Sequence, residues 1–216
     1  MKPIRIAVAK GRLEQKTLDI FKEMGLDCSS AYDKGRKLII PIDDGRYELV
    51  LAKAPDIMTY IEHGVCDIGI VGKDTILESG QSLFEVLDLG FGKCRMVMAT
   101  YKGKDFYQGF AAKTIATKYP NIARSYFESK GMDVNIVKIE GSVELAPLLN
   151  LADAIVDIVE TGSTLKANGL AEVETIVQLS ARLVVNIASM KIRKAEIEGF
   201  VKCLEQAVKD LESVKR

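Results

Sequence analysis

Apolar positions in this chain fall into two alternating patterns. Short contiguous runs rich in Val and Ile are followed by longer stretches in which apolar residues recur every third or fourth position. Ile4 to Ala9 (IRIAVA) is predicted as a buried strand. Glu14 to Met24 follows at helical spacing, with Leu18, Phe21 and Met24 apolar and Gly25 as a stop. Leu38 to Ile42 and Tyr47 to Lys53 form a predicted hairpin around Asp43-Asp44-Gly45-Arg46, because an Asp-Gly pair favours a tight turn. Pro55 to Glu62 is a predicted helix ending near His63-Gly64, and Asp67 to Val71 a strand. Asp74 is the predicted N-cap of a short helix that Gly80 ends. Leu83 to Leu89 and Arg95 to Thr100 are further strands, separated by Gly90-Phe91-Gly92. Lys113 to Ala116, Val134 to Ile139 and Ala154 to Val159 read as strands, with a helix over Pro120 to Lys130. Glu174 to Leu179 and Arg182 to Ile187 read as one long broken extended region. Lys191 to Val214 is an amphipathic helix with Ile197, Phe200, Val201, Leu204, Val208 and Leu211 on one face.

This alternation predicts an α/β fold with largely parallel sheets. The two groups of strands and the glycine-bearing crossover predict two lobes flanking a cleft. The first lobe is discontinuous, residues 1–92 with 180–216, and the second spans 93–179.

Composition narrows the function. The 216 residues carry 30 Lys and Arg against 30 Asp and Glu, so the formal net charge is zero. A general nucleic-acid binder needs a basic excess, so that class is set aside, and any anionic ligand must be met by locally focused charge. No run of eighteen apolar residues exists, so no membrane span is expected, and the start of the chain lacks the pattern of a signal peptide. Cys28, Cys66, Cys94 and Cys203 are widely spaced, which fits reduced thiols in the cytoplasm. His63 is the single histidine, which removes histidine-centred triads and multi-histidine metal sites. Its place in Glu62-His63-Gly64 matches a helix end, where an imidazole suits the dipole.

Candidate chemistry gathers in glycine-bearing loops that follow strands. In Asp157 to Leu165 a strand ends and a small polar loop opens into a helix-compatible segment. Backbone N–H groups with the Thr161, Ser163 and Thr164 hydroxyls can ring a phosphate, and Gly162 lets the backbone approach it closely. Asp157 and Glu160 are placed to face ribose hydroxyls or a magnesium ion. Lys10-Gly11-Arg12 follows the first strand, at the end where open α/β sheets bind ligands. Gly72-Lys73-Asp74, Glu140-Gly141-Ser142 and Lys53 are further candidates, with Ser142 either an N-cap or a phosphate contact. For each loop the plain alternative is an ordinary turn; their recurrence after four strands points to one shared anion site.

These residues together resemble the ATP phosphoribosyltransferase family. The matching pieces are Ala7 to Leu13 (AVAKGRL), Ala54 to Asp74, Leu89 to Ala99 (LGFGKCRMVMA), Gly141 to Pro147 (GSVELAP) and Leu151 to Leu170. They run in order along nearly the whole chain, and the last is the most specific, being similar to the family's signature loop for phosphoribosyl pyrophosphate (PRPP). The resemblance implies a fold similar to type II periplasmic binding proteins. It implies transfer of the phosphoribosyl group of PRPP to N1 of ATP, at the entry to histidine biosynthesis. It implies that Glu160, Thr161, Gly162, Ser163 and Thr164 cradle the 5-phosphate, with Lys10, Gly11 and Arg12 in the nucleotide and pyrophosphate region. Mg2+ is implied together with the pyrophosphate. The chain is similar to short-form members, which implies a homodimer or a hetero-octamer with a regulatory subunit similar to histidyl-tRNA synthetase. Many members carry arginine where Lys53 stands; lysine keeps the charge but lacks the bidentate fork. The competing classes are a ligand-binding module of the same fold, another phosphoribosyltransferase and a non-catalytic subunit. Adjacent acidic residues before a Thr-Gly loop would mark the second of these, and here Asp157 and Glu160 are separated by two apolar residues.

Overall fold

The computed structural model describes residues 2–81, 83–109 and 111–214, apart from the side chains of residues 212 and 214. In chain order the elements are β1 (Ile4–Ala9), α1 (Arg12–Glu23), α2 (Ser29–Tyr32), β2 (Ile39–Ile42), β3 (Tyr47–Ala52), α3 (Ala54–Glu62), β4 (Ile68–Gly72), α4 (Lys73–Ser79) and β5 (Phe84–Asp88). Then come β6 (Cys94–Tyr101), β7 (Lys113–Thr117), α5 (Pro120–Ser129), β8 (Val134–Lys138), α6 (Leu145–Leu148), β9 (Ala154–Val159), α7 (Ser163–Ala167) and β10 (Leu170–Leu179). The chain ends with β11 (Ala181–Val185), α8 (Ile187–Ile192) and α9 (Lys194–Val214). It divides into two compact units, Met1–Gly92 with Ser180–Arg216, and Lys93–Leu179.

The first unit is built on a six-stranded sheet of order β2-β3-β1-β4-β11-β5. Alternate residues of a strand face opposite sides, and β1 shows the result. Ile4, Ile6 and Val8 enter a core with Leu18 and Phe21 of α1 and Phe200 and Leu204 of α9. Ala7 and Ala9 face the other way, into a core with Ile57, Met58 and Ile61 of α3. Small residues on that second face let α3 lie close: a Cβ on Gly69 of β4 would stand 2.9 Å from Val184 and 3.0 Å from Ile61. Phe21 and Phe200 meet edge to face at 5.7 Å, so the apolar stripe of α9 belongs to this core.

The second unit repeats the plan on a five-stranded sheet, β10-β6-β9-β7-β8. Met96 and Met98 of β6 pack with Phe106, Ile122 and Phe127, whereas Val97 and Ala99 pack with Val143, Ala146 and Leu165. A polar knot fastens β10 to α5 and to the loop after β6. Glu174 accepts hydrogen bonds from Tyr107, from Tyr126 at 2.6 Å and from Lys130 at 2.5 Å. The Lys130 bond, then the two phenols, hold the Glu174 carboxyl down to about 2. A carboxyl depressed in this way contributes stability that is present above its unfolded value of 4.5 and lost as pH falls through the folded value. Glu174→Gln is expected to lower the stability of this unit at pH 7 by about 1 kcal/mol, since the groups are partly exposed. Melting curves across pH check this, and the difference between variant and parent should shrink at acid pH.

Several sequence expectations change. The sheets are mixed: four strand pairings are parallel and five antiparallel among the described residues. The hairpin and the strands bordering the two crossovers reverse the chain and supply the antiparallel pairs. The bounds of the broken extended region shift: β10 starts at Leu170, β11 ends at Val185, and Ile187 opens α8 instead. Asp74 is not an N-cap. β4 runs to Gly72, which caps α4 directly, and Asp74 sits in the first turn. Ser142 is likewise not the cap of α6; that position falls to Glu144. The predicted C-terminal helix breaks at Arg193, whose guanidinium turns to the backbone oxygens of Lys2 at 2.7 Å and Pro3 at 3.0 Å.

Candidate active site

In the first unit, β3, β1 and β4 are neighbouring parallel strands, so their carboxyl ends share one sheet edge. Lys53, Lys10-Gly11-Arg12 and Lys73-Asp74 are the segments that follow those three ends, Gly72 being the last residue of β4. Register explains the convergence: Ala9 pairs with Ala52, and the ladder continues from the Lys10 N–H to the Ala52 carbonyl at 3.0 Å. Gly11 has φ of 97° and is the N-cap of α1, turning the chain at once from strand to helix. Lys10 and Lys53 are exposed. Lys73 is differently placed: its ammonium stands 2.5 Å from Glu85, which also meets Arg182 at 3.3 Å. Part of its charge is therefore met within the protein.

In the second unit the parallel trio is β8, β7 and β9. Its carboxyl edge carries Glu140-Gly141-Ser142 after β8 and Glu160 to Thr164 after β9. Between them, following β7, stands Lys118, which the sequence reading did not single out. The rule that picked the other loops, a polar residue just past a strand's carboxyl end, also applied to it. Glu140 pairs with Lys138 at 2.8 Å, which holds its carboxyl below the usual range, with a smaller contribution from Lys118. Ser142 remains an exposed hydroxyl on this edge.

The Glu160 to Thr164 loop has its own internal order. Gly162 takes φ of 79°, the left-handed conformation that glycine adopts without steric cost. The hydroxyls of Thr161 and Ser163 lie 3.0 Å apart, and the Ser163 N–H donates to the Thr161 hydroxyl at 3.3 Å. Thr161, Ser163 and Thr164 are exposed. α7 has only five residues, so hydroxyls and local N–H groups, more than a helix dipole, would grip an anion here. A cavity of about 520 Å3 opens beside the loop, bordered by Arg95, Lys102, Thr161, Gly162, Lys166 and Glu172.

Asp157, on β9 three residues before Glu160, is half-buried and accepts a hydrogen bond from the Ile158 N–H at 2.8 Å. Burial pushes its carboxyl up to about 6; the Ile158 bond opposes this, Glu144 adds to it and Lys118 opposes it. A carboxylate held at such a cost, beside a loop able to bind phosphate, is a functional candidate. His63, by contrast, is the C-cap of α3 with its Nδ1 3.0 Å from the Thr59 carbonyl oxygen, a helix-end role.

The comparisons with known proteins decide between the classes left open by these loops. The family described as HisG, ATP phosphoribosyltransferase, matches residues 53–206. The chain belongs to the ATP phosphoribosyltransferase family. Among its relatives, the ATP phosphoribosyltransferase of Clostridium kluyveri is 57% identical over 213 residues, covering 99% of this chain and 97% of that protein. The Clostridium acetobutylicum ATP phosphoribosyltransferase is 56% identical over 207 residues, 96% of each chain. A solved structure, the ATP phosphoribosyl transferase (HisG:HisZ) complex from Thermotoga maritima, matches with a TM-score of 0.83 and 34% identity, covering 96% of this chain and 99% of that one. The periplasmic aliphatic sulphonate binding protein SsuA from Escherichia coli matches with a TM-score of 0.61 at 12% identity, covering all of this chain and 75% of that one, which shows a shared fold. The fold is thus the two-lobed α/β class of type II periplasmic binding proteins, and the chain is a pentosyltransferase. As an ATP phosphoribosyltransferase it moves the 5-phosphoribosyl group of PRPP to N1 of ATP, giving N1-(5-phospho-β-D-ribosyl)-ATP and pyrophosphate, the first step of histidine biosynthesis.

Proposed function

We propose that the loops at the carboxyl ends of the parallel strands, in each unit, bind the anionic groups of the substrates. The observation that carries this reading is that every candidate loop follows the carboxyl end of a parallel strand. In the second unit, Thr161, Gly162, Ser163 and Thr164 grip the 5-phosphate of PRPP through hydroxyls and backbone N–H groups. Asp157 and Glu160 meet the ribose hydroxyls and the positive charge that develops on the ring. Glu140, Gly141 and Ser142 border the same edge. In the first unit, Lys10, Gly11, Arg12 and Lys53 meet polyphosphate, with Gly72, Lys73 and Asp74 beside them. Lys73 joins only if the phosphate competes with Glu85 for its ammonium.

In the reaction the N1 lone pair of adenine forms the new bond to the anomeric carbon. The bond from that carbon to the pyrophosphate oxygen breaks, and the electron pair leaves with pyrophosphate. The enzyme's share is to hold two anionic substrates in line and to stabilise separated charge, with no covalent intermediate required. The pyrophosphate oxygens suit a hard cation, and Mg2+ bound to them would neutralise charge on the leaving group.

The proposed setting is the cytoplasm. All four cysteines are free, and burial pushes the Cys28 and Cys66 thiols up to about 11, which keeps them unreactive. No helix among the described residues is long and apolar enough to cross a membrane. The proposed assembly is a hetero-oligomer with a regulatory subunit similar to histidyl-tRNA synthetase, supported by the HisG:HisZ assembly named for the Thermotoga maritima relative. Pyrophosphate release by the purified chain with ATP, PRPP and magnesium tests the whole reading. Release should require both substrates and rise when a regulatory subunit of that kind is added. Release from PRPP alone at the same rate would overturn the transfer, and an unchanged rate with the subunit would remove the partner.

A further inference from the structure

Arg95 stands where β9 ends. It is the second residue of β6, paired in register with Val159, the last residue of β9, and with Gln178 of β10. Its guanidinium forks onto Glu172, with Nε at 3.0 Å and Nη2 at 2.8 Å from Oε2. The remaining nitrogen, Nη1, donates at 3.2 Å to the backbone carbonyl of Glu160, the first residue of the phosphate loop.

Glu172 does not reach Arg95 by simple register, because it pairs with Ala99. Two irregularities in β10, between Glu172 and Glu174 and between Thr175 and Val177, break the ladder. Bulges of this kind re-aim a side chain and recur beside active sites. The Thr175 hydroxyl then donates to Glu172 Oε1 at 2.6 Å, fixing the carboxylate that receives the fork.

The consequence lies in the backbone. The peptide unit between Glu160 and Thr161 is planar and trans, so holding its carbonyl oxygen also sets the direction of the Thr161 N–H. That N–H is the first donor of the loop that grips the 5-phosphate on the reading above. We propose that Arg95 is a positioning residue, fixed by Glu172, that presets the Glu160 to Thr164 loop for the phosphate of PRPP. The inference rests on the proposed role of that loop. Lysine cannot replace arginine here, because one ammonium lacks the planar fork that meets a carboxylate with two nitrogens and a carbonyl with the third. The grip acts on the phosphate before and during reaction alike, so its loss should appear in KM for PRPP more than in kcat.

The test is steady-state kinetics of Arg95→Lys and Glu172→Gln, with Thr164→Val as a comparison and melting curves for all three. Arg95→Lys is expected to raise the KM for PRPP about tenfold, leaving kcat within about threefold and the KM for ATP within about twofold. Glu172→Gln, which keeps the side-chain size, should shift the same constant in the same direction by less. Equal rises in both KM values, or a fall in melting temperature with neither KM changed, would reduce Arg95 to a structural role and overturn the inference. If Thr164→Val raises the KM for PRPP and the other two do not, the inference falls and the loop reading stands. If none of the three raises it, the loop reading falls and takes the inference with it.

Discussion

Gly162→Val is expected to raise the KM for PRPP by about a hundredfold, the largest effect of any single change in the loop. Space is not the obstacle, because a Cβ at this position meets nothing nearer than Val159 at 3.8 Å. The obstacle is the backbone, which holds φ at 79°. A β-branched residue in that region is a steric outlier. The strain, of order 1–3 kcal/mol, can be relieved only by moving the loop. Moving it breaks the contact between the Thr161 and Ser163 hydroxyls and turns the N–H groups away from a phosphate. Thr164→Val makes a smaller and cleaner change: it removes one exposed hydroxyl and keeps shape, so about a tenfold rise is expected. Kinetics with PRPP varied at saturating ATP measure both. Unchanged KM values in folded variants of both would reject the assignment of this loop to PRPP.

Asp157→Asn is expected to lower kcat by about a hundredfold while making the protein more stable above neutral pH. Both effects follow from the same buried carboxyl. Burial raises it from 3.8 to about 6, so the folded protein binds its proton more readily than the unfolded chain does. A raised carboxyl contributes most to stability below its unfolded value, and that contribution is lost as pH rises through the folded one. At pH 7 the charge is therefore held at a cost of about 1–3 kcal/mol, which the neutral amide removes while its oxygen still accepts from the Ile158 N–H. Function runs the other way. On the proposed role the carboxylate is the form that stabilises positive charge on the ribose, so parent activity should fall as pH drops through about 6. The variant should lack that limb. Rate profiles and melting curves on one pair of proteins check both signs, and a variant keeping its kcat and its acid limb would remove Asp157 from the chemistry. Higher stability with lower activity is the usual trade at a functional site.

The sequence by itself determined the strands, most helices and the glycine-bearing loop after β9, because these are local properties. A run such as Ile4 to Ala9 has enough contiguous apolar surface to demand burial, and Gly80 and Gly131 stop helices through the positive φ they alone adopt freely. The small polar loop around Gly162 was legible for the same reason, and in the structure it takes the left-handed turn that only glycine makes easily. Caps were less legible. Asp74 and Ser142 have the right chemistry for an N-cap, but the strand before α4 and the turn before α6 give the position to Gly72 and Glu144. What only the tertiary structure decided is which strands are partners. Hydrogen-bond pairing joins residues far apart in the chain, so the antiparallel ladders of β11 with β4 and β5, and of β6 with β9 and β10, left no local trace. The same distance hid the groups that tune the loop. Lys118 stands on the same sheet edge as the loop after β9 because β7 lies between β8 and β9. Arg95 meets Glu172, 77 positions away, across an edge strand whose pairing is broken by two irregularities. Local composition says where a chain turns and what it can bind, and long-range pairing decides which charges stand beside that turn.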